Sequence, residues 1–166
     1  MKKLLTIFFL ALLIVGCSNE ANSKETTKIF SELEQSIVHS VMENFGYRQE
    51  FAEDAVKLVE FDEKTEKLKI IAYIYSFDDE TYDEFKADIL DSCATILQDV
   101  KRQHEVQEVV LIVETTLEDP QGKPMDMAIF NMVFERKNLQ KINFHELDPL
   151  HLSKKANFYI APPVTM

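Results

Sequence analysis

The sequence predicts a single α+β domain in which a mainly antiparallel four-stranded sheet carries a long helix on one face. Two observations support this fold class. Apolar residues recur at three- and four-residue steps in two stretches, as is typical of amphipathic helices. Two pairs of β-rich runs flank the longer stretch, and a short polar connection joins each pair. With a short helix after the second pair, the predicted element order is α-ββ-α-ββ-α.

The first helical stretch ends at Gly46, which stands where a C-terminal cap is expected. Its apolar positions share one helical face: Phe30, Leu33, Ile37, Val41 and Phe45. Ser31 and Glu34 have the spacing of a capping box, but the apolar pattern begins before them. The sequence therefore leaves the first residue of this helix open. His39 falls between the apolar positions and is predicted to lie on the surface.

The first pair of predicted strands covers residues 56–61 and 68–77. The second of these strands is apolar on both faces. One face carries Leu68, Ile70, Ala72 and Ile74, and the other carries Ile71, Tyr73, Tyr75 and Phe77. Such a strand is either covered on both sides or presents an exposed aromatic stripe for binding. We favour cover by the first helix or by the C-terminal segment.

The longest helical pattern runs from Thr81 to about His104. Its acidic start and its basic end complement the helix dipole. Cys93 lies on its apolar face, so we predict a core cysteine rather than a reactive one. The acidic run 78–84 lacks the glycine and the ligand spacing of a calcium loop. Capping and solvation explain that run better than a cation site.

The second pair of predicted strands covers residues 106–117 and 125–136, joined by a turn that contains Pro and Gly. A short helix is predicted over 138–146, with Pro149 stopping it. The remaining tail is predicted to be irregular. Its segment Phe158–Ile160 can pack against the domain, and two prolines after it end any strand pairing.

The charge balance limits the classes of partner. The 166 residues carry 18 Lys and Arg against 29 Asp and Glu, a formal net charge of −11. Loss of Lys2 and Lys3 with a cleaved leader takes the mature charge to −13. Such a surface repels nucleic acid and anionic lipid headgroups, so we expect neither as a direct partner.

The N-terminus has the composition of a secretory signal. Two lysines precede residues 4–15, which are apolar except for Thr6. As a helix this run is about 18 Å long. A bilayer core is about 30 Å thick, so the run is too short for a permanent span. Gly16 and Cys17 follow it directly.

The segment Ile14-Val15-Gly16-Cys17 resembles the lipobox of bacterial lipoproteins. That pattern prefers Leu first and a small residue second, so Ile14 and Val15 are variants, while Gly16 and Cys17 match. The resemblance implies a diacylglyceryl group on the Cys17 sulfur and cleavage between Gly16 and Cys17. The resemblance gives a signal peptide (1–16) and a lipidated Cys17. The residues after Cys17 are polar and lack periodicity, which predicts a tether (17–23) before one domain (24–166). The resemblance also implies a lipid anchor in the cell membrane or outer membrane, with the domain on the extracytoplasmic side.

Candidate metal-binding residues occur in one stretch of the sequence, residues 145–151. His145, Asp148 and His151 could supply metal ligands from a loop, although Pro149 occupies the position where a zinc-protease helix needs its second histidine. The sequence holds no Gly-rich phosphate loop and no nucleophile elbow. We therefore expect no catalytic residues and no cofactor.

Two functions from different classes follow. The first is a non-enzymatic envelope lipoprotein that recognises a protein or peptide at the cell surface. The alternative is a small metal- or ligand-binding, enzyme-like domain of the envelope that uses His145, Asp148 and His151.

Overall fold

Two long helices lie on one face of a mixed five-stranded sheet in the computed structural model. The structure describes residues 30–75, 80–118 and 121–160. The helices are α1 (Glu32–Phe45), α2 (Tyr82–Arg102) and the single-turn α3 (Arg136–Leu139). The strands are β1 (Val56–Asp62), β2 (Lys67–Tyr73), β3 (Glu108–Glu118), β4 (Pro124–Glu135) and β5 (Phe158–Ile160). The described residues also form three 3₁₀ segments: Gly46–Arg48, Ala52–Ala55 and Pro149–Lys154. The predicted signal peptide, Cys17 and the tether lie outside the described residues.

The α+β class is confirmed, but the four-stranded, mainly antiparallel sheet is not the one observed. The strands stand in the order β1-β2-β3-β4-β5, and the central pair β2–β3 is parallel. The other three pairs are antiparallel. The parallel pair follows from α2, because a long helix between two neighbouring strands carries the chain back to the edge where the first strand began.

The C-terminal segment differs most from expectation. Phe158–Ile160 pairs with Asn131–Val133 as the fifth strand, although the tail was predicted to be irregular. The helix predicted over 138–146 is wrong: only the turn Arg136–Leu139 is α-helical. Pro149 begins a 3₁₀ segment instead of only stopping a helix, because the Asp148 carboxylate caps that segment by accepting from Leu150 N at 3.0 Å.

The start of α1 is settled by its capping box. Ser31 is the N-cap: its hydroxyl accepts from Glu34 N at 3.2 Å, and the Glu34 carboxylate accepts from Ser31 N at 2.9 Å. The same carboxylate accepts from Phe61 N at 3.1 Å, which ties the beginning of α1 to β1. His39 is exposed, as predicted, and lies 3.0 Å from Glu43.

Gly46 ends α1 for a different reason from the one predicted. Its φ of −63° is right-handed, so the residue is not the left-handed cap that usually requires glycine. A Cβ at this position would lie 2.7 Å from the Ala52 Cβ, which is closer than such atoms approach. Glycine is therefore needed here because two 3₁₀ segments pass close together.

The helices α1 and α2 run antiparallel over the sheet. Ser40 Oγ donates to Asp99 at 2.7 Å, and Ser92 Oγ donates to the Asn44 carbonyl at 3.1 Å. The core between helices and sheet is apolar and includes Cys93, which is fully buried as predicted. In the described part of the chain, no helix combines the length and the apolar composition needed to cross a membrane.

Candidate functional site

The face of the sheet turned away from α1 and α2 carries an apolar surface. Strand residues point alternately to the two faces, so the neighbours of the buried positions in β2 and β3 face outward. Register aligns these outward residues into rows across the strands. We call the following set the apolar band: Leu58, Ile71, Val110, Ile112, Val133, Phe158 and Ile160.

The apolar band is not covered by any described element. Its seven members neither belong to the core nor pack against it, as far as the described residues show. Phe158 and Ile160 are 49% and 48% exposed, and the other five are half-buried. A sheet with one solvated face usually places polar residues there. A contiguous apolar surface in their place is typical of an interaction site.

Two polar residues lie in the rows of the band. Lys69 is exposed and stands opposite Val110, and Asn131 stands opposite Ile112 on one side and Ile160 on the other. The Asn131 Oδ1 atom is withdrawn from solvent and accepts no hydrogen bond from the described residues. An unpaired buried acceptor costs about 1–3 kcal/mol. The side-chain amide therefore adds a polar requirement to a largely apolar surface.

An ion-pair cluster borders the band at one end. Lys57 Nζ lies 2.9 Å from Glu114 and 2.6 Å from Asp126, and it stands 4.4 Å above the Tyr73 ring. Thr116 donates to Asp126 at 2.6 Å and also hydrogen-bonds Tyr73. Burial alone would lower the pKa of Lys57, but the hydrogen bonds to Asp126 and Glu114 outweigh it and raise that pKa. The hydrogen bonds from Lys57 and Thr116 lower the pKa of Asp126.

A second ion pair borders the opposite end, where Lys67 and Glu108 face each other across the parallel strands at 2.6 Å. Both ends of the band are thus flanked by ion pairs, the first with one lysine against two carboxylates and the second with one of each.

The aromatic stripe on β2, which was the less favoured alternative to cover on both sides, is partly present. Tyr73 is buried at 8% exposure, and Tyr75 beyond it is 52% exposed, with the two rings edge to face at 5.1 Å. Phe77 lies outside the described residues. Cover by α1 or by the C-terminal segment is not what the structure shows: α1 packs on the Leu68 side, and β5 extends the sheet at its edge.

The proposed metal ligands are not assembled into one site. His151 Nδ1 lies 3.7 Å from Asp148 Oδ2, and both side chains are about half exposed. His145 instead lines a cleft with the last turn of α2. The described residues contain no group of three or more His, Cys, Asp or Glu side chains placed to hold a metal ion.

Sequence reasoning missed most of the band. It recognised an apolar outer face on β2 alone. The run Val109–Val113 is apolar at every position, which was a signal that β3 also has two apolar faces. The contributions of β4 and β5 depend on strand order, which the sequence did not reveal.

Comparisons with known proteins identify no relative. A scan against protein-family models, a search of curated proteins and a search of solved structures each found no match to this chain.

Proposed function

We propose that the chain is a lipid-anchored envelope protein whose domain is a non-enzymatic binding module. The apolar band is the observation that carries the binding role. The N-terminal segment ending in Gly16-Cys17 supports the anchor, through a diacylglyceryl group on Cys17. The anchor holds the domain on the extracytoplasmic side of the cell membrane or outer membrane, where the band meets another envelope protein.

The band sets the chemistry of that partner. Five strands spaced about 4.8 Å apart make the face about 19 Å wide. A partner covers it with a flat apolar protein surface and meets the ion pairs at its rim. Asn131 favours a partner that supplies a polar group near the centre, because covering the amide without a hydrogen bond would cost binding energy.

Site-specific photo-crosslinking in cells tests the band. A photoreactive side chain at Phe158 should form a crosslinked adduct with a partner protein. The matched control is Leu150, which is 48% exposed in the 3₁₀ segment that contacts α2. Equal adducts at both positions, or none at Phe158, would contradict the proposal.

A charge substitution in the band gives a second test. Ile160→Asp should reduce recovery of the crosslinked or co-purified partner, because it places a carboxylate in the apolar interface. Leu150→Asp adds the same charge outside the band and should leave recovery unchanged. Loss of the partner in both variants would point to net charge rather than to the band.

The anchor is tested separately with Cys17→Ala. The variant should be uncleaved or released, and it should incorporate no lipid label, because the acceptor sulfur is absent. Unchanged labelling and unchanged membrane retention would refute the anchor while leaving the binding role of the band untouched.

A further inference from the structure

A basic cleft opens at one end of this acidic protein, between the last turns of α2 and the segment 140–145. Its volume is about 580 Å³. Half of its ten lining residues carry a basic or imidazole side chain: Lys101, Arg102, His104, Lys141 and His145. Among the described residues that line it, none is Asp or Glu. This local composition is the reverse of the net charge of −11.

A second, smaller cleft continues the basic surface. It has a volume of about 320 Å³, shares Lys141 and Ile142 with the first, and adds Lys154 and Lys155. Five of the 18 Lys and Arg residues in the chain are therefore collected around two adjoining clefts. Clefts lined by one sign of charge concentrate ions of the opposite sign.

The lysines of the smaller cleft are not neutralised locally. Elsewhere Lys57, Lys67 and Lys137 each have a carboxylate at 2.9 Å or less. In the described segments, no carboxylate lies within ion-pair distance of the three cleft lysines: Lys141, Lys154 and Lys155. Their charge is therefore free to act on a ligand.

Stabilisation of the end of α2 explains only part of this basic surface. Lys101 Nζ donates to the Ile142 carbonyl at 2.8 Å. Arg136 Nη1 donates to the carbonyls of Gln103 and Val106 at 2.8 and 2.9 Å. These cations complement the negative end of the helix dipole. Lys141, Lys154 and Lys155 come from other segments and make no such contact within the described residues, so helix capping does not account for them.

We propose that the two adjoining clefts bind a phosphate-bearing anion with at least two negative charges. Lysine and arginine are the usual protein partners of phosphate oxygens. The main cleft is within the range of small-molecule sites, and it exceeds the space that one phosphate would fill. Phe144 provides an apolar wall, with Lys101 Nζ 5.9 Å from its ring centre. The ligand therefore carries an organic part as well as its phosphates.

The position of the cleft in the domain bears on whether the phosphate belongs to a lipid headgroup or to a soluble compound. Gln103, just after α2, donates to Ser36 in the first turns of α1 at 3.5 Å. The first turns of α1 thus lie at the end of the domain where the cleft opens. Both an anionic lipid headgroup and a soluble phosphate compound present the required chemistry, and the test separates them. The inference does not depend on the apolar band or on lipidation.

The test uses the full chain and a charge-reversed pair, Lys141→Glu with Lys154→Glu. The matched control is Lys86→Glu with Lys123→Glu, which changes net charge equally in the first turns of α2 and in the β3–β4 turn, at the end of the domain away from the cleft. Calorimetry with pyrophosphate at low salt is the first measurement. Co-sedimentation with vesicles of phosphatidylcholine alone, or mixed with phosphatidylglycerol, is the second. Thermal unfolding of each variant checks that it is folded.

Pyrophosphate should bind to the unmodified chain, and the cleft variant should bind about tenfold or more weakly because two attractive charges become repulsive. The control pair should change affinity by less than about twofold, because its charges are distant and screened. If the unmodified chain co-sediments more with vesicles that contain phosphatidylglycerol than with phosphatidylcholine alone, and the cleft variant loses that difference, the ligand is a lipid headgroup. Pyrophosphate binding without that difference in co-sedimentation would identify a soluble ligand. Absence of both effects, or equal losses in both folded pairs, would overturn the inference.

Discussion

Arg48 and Glu80 form a two-point ion pair, with Nη1 2.9 Å from Oε2 and Nη2 2.6 Å from Oε1. The Arg48 side chain is 1% exposed. Its remaining donors reach Asp88 at 2.6 Å and the Tyr75 carbonyl at 3.1 Å. One guanidinium group thus joins the 3₁₀ segment after α1, the residues just after β2 and the first half of α2.

Arg48→Met is expected to lower the free energy of unfolding by about 3–5 kcal/mol, because it leaves Glu80 without its buried counter-charge. Urea denaturation measures the change. Arg102→Met removes an exposed arginine that pairs with Asp99 one turn earlier on α2, and it should cost less than about 1 kcal/mol. Similar losses in the two variants would show that the Arg48 network contributes little.

Gly46→Ala is expected to destabilise the fold by about 1–3 kcal/mol, because the new methyl group overlaps Ala52. The double variant Gly46→Ala with Ala52→Gly removes the overlapping atom and should recover part of the loss. A double-mutant cycle by thermal or urea unfolding measures the coupling. Strict additivity of the two changes would rule out the steric explanation.

Cys93 should resist alkylation in the folded protein and react on unfolding. Its thiol is fully buried, and burial raises its pKa, so little reactive thiolate is present at neutral pH. Mass spectrometry after iodoacetamide treatment, with and without urea, measures this. Cys93→Ala should cost roughly 1–3 kcal/mol through lost packing and leave partner binding intact. Rapid native-state labelling would contradict the buried position.

Asp126 should contribute to stability above its unfolded pKa, and that contribution should disappear as pH falls through its lower folded pKa. The folded pKa is lowered by Lys57 and Thr116, so the loss falls below about pH 4. Asp126→Asn should therefore flatten the acid limb of the stability curve. Glu53→Gln, which removes an exposed carboxyl, is the control. An unchanged acid limb in Asp126→Asn would contradict this linkage.

Local patterns predicted the two long helices and the first four strands well. The periodicities placed α1, α2 and β1 to β4 close to their observed bounds, and the burial of Cys93 followed from its helical face. The capping spacing of Ser31 and Glu34 was correct, and it marked the helix start better than the apolar pattern did. These features depend on neighbours within a few residues, which a sequence shows directly.

Long-range features were not predictable in the same way. Arg48 and Glu80 are 32 residues apart, so nothing near either of them reveals their contact. The parallel β2–β3 pair and the addition of β5 depend on how the chain returns to the sheet. Whole-chain charge argued against nucleic acid and anionic lipid headgroups as partners, but it could not show that Lys141 lies beside Lys154 and Lys155 near the end of α2.

The parallel pair β2–β3 divides the sheet into two local assembly units. The strands β1 and β2 form one hairpin through a four-residue turn, and β3 and β4 form another. Each hairpin can form from contacts between residues that are close in sequence. Pairing Lys67 with Glu108 instead closes a span that contains the whole of α2. We expect this junction to be the slow step of folding, with the first helix turns of α2 forming before the two halves join.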